Sequence, residues 1–335
     1  MTMNQGLKLP SDDRPGHRLR LDNIRRAMDV IDPIFLASPQ FQCEPLNEAL
    51  GCDLVLKLET ANPIRSFKGR GASFLIKERL RKGELAGKHL VAASAGNWGQ
   101  ALAYACRSAA LPLLLYAATE ANPLKIERMR KLGAEVRLHG ADFDAAKTEA
   151  QAYAQSSGGL MLADGLDAEA AEGAGTIAVE LMAMEPKPDC LVVPLGNGAL
   201  LTGIARWAKA VNPGVEIIGV QAQGADAMEK SWRHGKLVFP SSVLTIADGI
   251  GVRVPIAEAV EDMQGIVDDV HLVDDATIIA AMKLIFRTAG LLTEPSGAAG
   301  LAAILARPEH FRGRRVAAIL CGSNLTDAQV RAWLM

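Results

Sequence analysis

The chain has 335 residues, 49% of them hydrophobic and 22% charged, enough to bury a large core and to form two domains. A formal net charge of −2, a pI near 6.3 and an aromatic content of 4% exclude the basic, aromatic footprint of a nucleic-acid binder and a polybasic membrane patch. No apolar run reaches bilayer length, the N-terminus is polar and broken by proline, and Cys43, Cys52, Cys106, Cys190 and Cys321 are scattered and odd in number, so a cytoplasmic protein with reduced thiols is expected.

Short apolar runs alternate with longer stretches of helical spacing. Strands are expected at 54–58, 89–94, 113–117, 135–138, 160–163, 189–195, 216–221, 267–273 and 315–321. Several are continuously apolar, as parallel strands covered on both faces require. Asn122 and Pro123 open a helix as cap and first residue, and Gly133 suits its left-handed exit. This alternation argues for open α/β sheets with right-handed crossovers. No linker marks a domain boundary, which fits a small domain inserted within a larger one. Only residues 325–335 follow the last strand, so no appended regulatory module is expected.

Four segments carry chemistry, each at the carboxyl end of an expected strand or in the loop after one, where open α/β sheets place their ligands. In Ser66-Phe67-Lys68-Gly69-Arg70-Gly71-Ala72 a lysine enters a helix beside the positive end of its dipole. Burial and neighbouring positive potential there favour the neutral amine that imine chemistry needs. By itself the segment reads more readily as an exposed lysine near a helix start. Ser94-Ala95-Gly96-Asn97-Trp98-Gly99-Gln100 follows a strand and opens a helix, offering free N–H groups to an anion; it could also be a plain helix cap. Pro194-Leu195-Gly196-Asn197-Gly198-Ala199-Leu200 is a glycine-rich turn able to nest a phosphate. It lacks both the Walker lysine and the third glycine of a dinucleotide fingerprint, and tight packing alone would also explain it. Cys321-Gly322-Ser323-Asn324 ends the last strand, where a thiol could face a heteroaromatic nitrogen or simply be buried.

Taken together, S-F-K-x-R-G-A, S-A-G-N, P-x-G-N-G-A-L, A-D-G-I at 247–250, T-E-P-S-G-A-A-G at 293–300 and C-G-S-N resemble the fold-type-II pyridoxal-phosphate enzymes, nearest the threonine/serine dehydratases and serine racemase. The resemblance runs in order from about Pro33 to Thr326. It implies a tryptophan-synthase-beta-like α/β fold of two open, twisted, mostly parallel sheets with helices on both faces. A large cofactor domain would comprise 1–88 and 167–335, and a small substrate domain 89–166.

It further implies that Lys68 holds pyridoxal 5'-phosphate as an imine and then serves as the base at the substrate Cα. Phe67 would pack near the ring and Asn97 would bond its phenolic oxygen. Gly196, Asn197, Gly198, Ala199 and Leu200 would offer N–H groups to the phosphate, and Cys321 would stand as a neutral partner to the pyridine nitrogen. Ser94, Ala95, Gly96, Asn97 and Trp98 would line the place of the substrate carboxylate. The implied reaction is loss of water from serine or threonine to give a 2-oxo acid and ammonia, with the cofactor phosphate as general acid. The implied state is a homodimer in the cytoplasm acting on a small amino acid, with neither nucleic acid nor membrane as partner.

Departures qualify the subfamily. Ala95 stands where racemases carry the serine base of the second ring face. Gln221 and Ala227 replace the carboxylates of their divalent-cation site, so no bound metal is expected. G-N-G-A replaces a tetraglycine loop and resembles threonine-synthase-like relatives, and Trp98 replaces a histidine. Arg65 replaces a small residue; it is either solvated or, if it faces the pocket, holds a second carboxylate as in 3-hydroxyaspartate. The rival readings are β-replacement, 3-hydroxyaspartate dehydration or racemisation on the same scaffold, and a non-catalytic small-molecule binding protein.

Overall fold

The structure, a computed structural model, describes residue 14 and residues 16–335. Strands β1 (Gln40–Gln42), β2 (Asp53–Leu58), β3 (Leu90–Ala93), β4 (Leu113–Ala117), β5 (Glu135–Leu138), β6 (Leu160–Met161), β7 (Cys190–Pro194), β8 (Glu216–Ala222), β9 (Asp269–Val273) and β10 (Arg315–Leu320) form two sheets. Six strands run in the order β1-β2-β10-β7-β8-β9, and four in the order β5-β4-β3-β6. All pairings are parallel except that of β1 with β2.

The continuously apolar runs are the inner parallel strands. Along β7, Leu191 and Val193 face one hydrophobic cluster while Cys190 and Val192 face another, so both faces of the larger sheet are covered. Every strand expected from the sequence is present, with no end displaced by more than two residues. The run 160–163 keeps only two paired residues, and 267–273 begins to pair at Asp269. The edge strand β1 is new. Its Gln-Phe-Gln alternation has no buried face; pairing with β2 and the Gln40 and Gln42 side chains, which bond Lys57, Glu180 and Asp53, hold it in place.

Helix Ala168–Leu181 is buried along nearly its whole length between two others, Lys68–Arg81 and Ala199–Val211. Glycines set the spacing. A Cβ on Gly173 would lie 2.7 Å from the Arg70 carbonyl oxygen, and one on Gly203 would lie 2.0 Å from that of Ala171. The three backbones therefore touch, and the starts of the two outer helices are held at a fixed separation.

A buried ionic cluster locks the first helix. The Arg70 guanidinium is fully buried; its Nε and Nη2 donate to Glu59 at 2.8 Å each, and Nη1 donates to Glu180 at 2.6 Å and to Thr176 at 3.0 Å. Lys57 Nζ donates to Glu180 and, at 2.8 Å, to the Ser38 carbonyl. Two cations thus meet two carboxylates with their donors satisfied, the condition under which buried charge is tolerated. Burial pulls the Lys57 ammonium below its ordinary range, with Glu180 opposing; Glu180 is itself held down by Arg70 and Lys57 against the burial that pushes it up. On the same helix as Glu180, Glu172 accepts the Arg20 N–H and the Asn23 amide, both at 2.9 Å, tying helix Leu21–Val30 to this layer. Burial pushes the Glu172 carboxyl up to about 7.

Two outcomes are expected. Arg70→Met strands Glu59 and Glu180 as buried charges and should cost about 3–5 kcal/mol of unfolding free energy in a denaturant titration. Glu172 is protonated in the folded chain up to about pH 7 but ionises near 4.5 when unfolded, so its stabilisation is complete below pH 4.5 and fades as pH rises to about 7. The fade amounts to about 3 kcal/mol, and Glu172→Gln should flatten the melting temperature over that window.

Candidate active site

Lys68 is the first residue of its helix, and Arg70 the third. Two helical positions turn a side chain by about 200°, so anchoring Arg70 in the ionic cluster aims Lys68 the other way. The approach is tied to the end of β10: the Phe67 N–H donates to the Cys321 carbonyl at 3.0 Å, and Ser66 bridges to Gly322. The lysine side chain is 16% exposed, so it is not a surface lysine. Its Nζ lies 4.6 Å from the Phe67 ring centroid and 6.0 Å from that of Trp98.

One expectation is corrected. In place of surrounding positive potential, Lys68 Nζ meets a carboxylate, donating to Asp164 Oδ2 at 2.5 Å. Asp164 lies beyond β6, in a Leu-Ala-Asp-Gly stretch whose polarity reads as loop, so the sequence carried no signal for it. The same oxygen accepts from Asn197 Nδ2 at 3.3 Å, linking the lysine to the glycine-rich turn. Asp164 Oδ1 is buried without a partner.

That turn leaves β7 and enters helix Ala199–Val211 through Gly198, whose φ of +100° suits glycine and whose added Cβ would strike the Ala259 methyl at 2.7 Å. No side chain caps this helix start, which leaves its N–H groups pointing out of the turn. Asn197 sits against Gly165, where a Cβ would fall 2.5 Å from the Asn197 carbonyl oxygen.

The third segment opens helix Asn97–Ser108. Ser94 Oγ accepts the N–H groups of Gly96 at 3.2 Å and Gly99 at 2.9 Å, so this hydroxyl shapes the turn and keeps its one proton to donate. Ala95 and Gly96 are half-buried beside it, and the Trp98 indole Nε1 is buried without a partner. Asn97 faces the other sheet: its Nδ2 donates to Glu294 Oε1 at 2.7 Å, and its Oδ1 accepts from Asn324 Nδ2 at 2.8 Å. Asn324 also donates its backbone N–H to Glu294 Oε2 at 2.8 Å and accepts from Arg128 Nη1 at 2.8 Å. Glu294 is buried, which pushes its carboxyl above the ordinary range, and Asp248 adds to the push. Neither Glu294 nor Asn324 was singled out from the sequence for a role at the site, although both lie in motifs noted there.

Cys321 is buried at the end of β10, and burial first, then Glu294, drives its thiol far up, so it stays neutral. Gln221 is occupied otherwise: its Oε1 accepts the Glu229 N–H at 3.0 Å. The Arg65 side chain makes no bond to the Lys68 amine among the described residues; it lines a cavity that Asn324 also borders.

The four segments thus converge, with an amine, a carboxylate, two rings, an uncapped helix start and an amide–carboxyl chain. Asn97→Ala would leave Glu294 Oε1 and an Asn324 N–H unpaired in a buried setting. The expected loss is about 1–3 kcal/mol, read as a lower denaturation midpoint at unchanged slope.

A family model for "Pyridoxal-phosphate dependent enzyme" matches residues 31–322. The chain is 33% identical over 288 residues to the biosynthetic L-threonine dehydratase IlvA of Pasteurella multocida, covering 85% of this chain and 56% of that protein, so it spans about half the length of that relative. It is 31% identical over 311 residues to the L-threonine ammonia-lyase of Thermotoga maritima, covering 92% of this chain and 76% of that protein. Maize serine racemase superposes with a TM-score of 0.87 at 28% identity, over 94% of this chain and 96% of the other. The family match takes in three of the converging segments whole and the first two residues of the fourth, and the chain belongs to the pyridoxal-phosphate-dependent enzymes.

Proposed function

We propose that this chain is an ammonia-lyase that removes water from a β-hydroxy amino acid of the threonine or serine type, yielding a 2-oxo acid and ammonia. The observation that carries the reading is the Lys68 amine, sheltered between two rings and joined through Asp164 to the phosphate-type turn.

The residues fit pyridoxal phosphate. The uncapped start of helix Ala199–Val211 suits a phosphate, with Gly196, Asn197, Gly198, Ala199 and Leu200 supplying N–H groups, and the glycines keep the cradle free of side chains. Phe67 offers a ring face, Asn97 an amide to an anionic oxygen, and Cys321 a neutral thiol to a ring nitrogen. Orphaned polar atoms on Asp164 and Trp98 mark places where a bound group would complete hydrogen bonding. When bound, the cofactor supplies an electron sink for the pair left at the substrate Cα.

Lys68 Nζ takes the Cα proton in this reading, and Asp164 balances the charge that the amine then carries. Ser94, Ala95, Gly96, Asn97 and Trp98 receive the substrate carboxylate at the helix start, with the Ser94 proton available to donate. Departure of the β-hydroxyl with a proton releases water and leaves an enamine, which rearranges and takes water back to give the 2-oxo acid and ammonia. Ala95 offers no group to return a proton on the opposite face, which favours elimination over racemisation. The neutral thiol at Cys321 favours it over transamination, because it does not strengthen the electron sink.

The division into a cofactor domain, 1–88 with 167–335, and a substrate domain, 89–166, belongs to the same reading; β3 to β6 forming a sheet of their own supports it. So do a homodimer and a cytoplasmic setting, which rest on the family resemblance. No helix among the described residues is long and apolar enough to cross a membrane.

Purified protein should carry a visible cofactor band that is absent in Lys68→Ala. It should release 2-oxobutanoate from threonine or pyruvate from serine, by roughly two orders of magnitude or more over that variant. Failure to form any 2-oxo acid across the β-hydroxy amino acids rejects the proposal.

A further inference from the structure

Asn324, which bonds Asn97, also borders a cavity of about 240 Å³, lined besides by Arg65, Gln100, Arg128 and Lys131 with two apolar neighbours and no carboxylate. Its volume is several times that of one water molecule. Three cations converge on it, and their existing commitments are few. Arg128 donates to Asn324 Oδ1, and Lys131 shares a solvent-exposed pair with Glu127, of a kind that binds weakly. The Arg65 guanidinium has no hydrogen bond or ion pair among the described residues.

Two further observations point to a ligand. Gln100 is 2% exposed, lines the cavity, and has a buried Nε2 with no partner. Arg65 has a φ of +52°, a conformation that disfavours a residue with a Cβ and that glycine would adopt freely. Its backbone is fixed there, its N–H donating to Asn62 and its carbonyl accepting from Ser323, both at 3.0 Å. Strain borne by a cation with no partner among the described residues marks a position where the side chain serves something other than the fold.

We propose that this cavity is an anion site, in which Arg65, Arg128, Lys131 and the Gln100 amide hold a carboxylate or phosphate group. Arginine forks suit such planar or tetrahedral oxyanions. The site abuts the catalytic residues, because Arg128, Asn324, Asn97 and Glu294 form one hydrogen-bonded chain. An anion drawing on Arg128 therefore acts on the amide that faces the cofactor. The oxyanion is either a free effector or the distal carboxylate of a dicarboxylic hydroxyamino acid; only this link to turnover rests on the lyase reading.

The test uses holoenzyme, so that the cofactor's own phosphate occupies the turn at 196–200, and titrates inorganic phosphate and malonate by calorimetry. Saturable binding that Arg65→Gln weakens at least tenfold, and Arg65→Lys partly restores, is expected. Arg65→Gly should lose the anion yet melt at or above the wild-type temperature, which separates loss of the site from loss of the fold. Equal affinity in wild type and Arg65→Gln, or a much lower melting temperature for Arg65→Gly, overturns the proposal. Kinetics then identify the source. A fall of tenfold or more in the kcat/KM ratio of 3-hydroxyaspartate to serine, with phosphate competing against 3-hydroxyaspartate, assigns the distal carboxylate. A phosphate effect on serine turnover that Arg65→Gln abolishes, without that competition, assigns a free effector. If neither substrate turns over, the lyase reading fails while calorimetry still decides the site.

Discussion

The fully buried Arg70 guanidinium, shared between Glu59 at the end of β2 and Glu180 on the central helix, is the constraint on which the rest of the architecture depends. A charged group without water must have its hydrogen-bonding capacity filled, and only one placement of helix Lys68–Arg81 does this. The net charge of the four-residue cluster cancels, so the cost of burying it is offset by mutual attraction and specific geometry. Its value lies in where it puts the neighbouring lysine. Hydrophobic packing alone would tolerate a helix slipped or rotated by a few degrees; a filled guanidinium fork does not.

From that anchor the positioning passes outward by contact. Glycines on the central helix and its neighbours bring three backbones together, so the lysine-bearing helix and the helix that starts at the glycine-rich turn share a reference. The lysine and the turn then meet again through Asp164. Across the seam, Asn97 from one sheet and Asn324 and Glu294 from the other form a chain that joins the two layers at the site. Lys125 with Asp248 at 2.8 Å adds an ion pair between the same two layers. The site is thus built from both sheets, and these bonds and the ion pair fix how the two meet there.

Much of the fold was legible because its inner strands are apolar on both faces and its helices carry ordinary caps. The helix after Asn122 begins with the expected side-chain cap and proline, and Gly133 follows its end with a φ of +96°. Strand β1 was not legible, since a Gln-Phe-Gln edge has neither a buried face nor a turn signal. The candidate site was legible wherever it lay in a short motif, as with Lys68, the 94–98 turn, the 196–200 turn and Cys321. Asp164 and the cavity-lining role of Arg128 and Gln100 were not, because each is separated in sequence from the groups it serves.

Sequence by itself determined the class of fold, the family and the segments that converge, because strand burial, helix punctuation and small-residue turns are local properties of the chain. Tertiary structure alone decided what each charged group faces: a carboxylate opposite the lysine, a buried cluster around Arg70, and a cationic cavity beside an Arg65 that has no partner among the described residues. The physical reason is that a charge acts through space on whatever folding brings within a few ångströms, and the order of residues along the chain does not encode that distance.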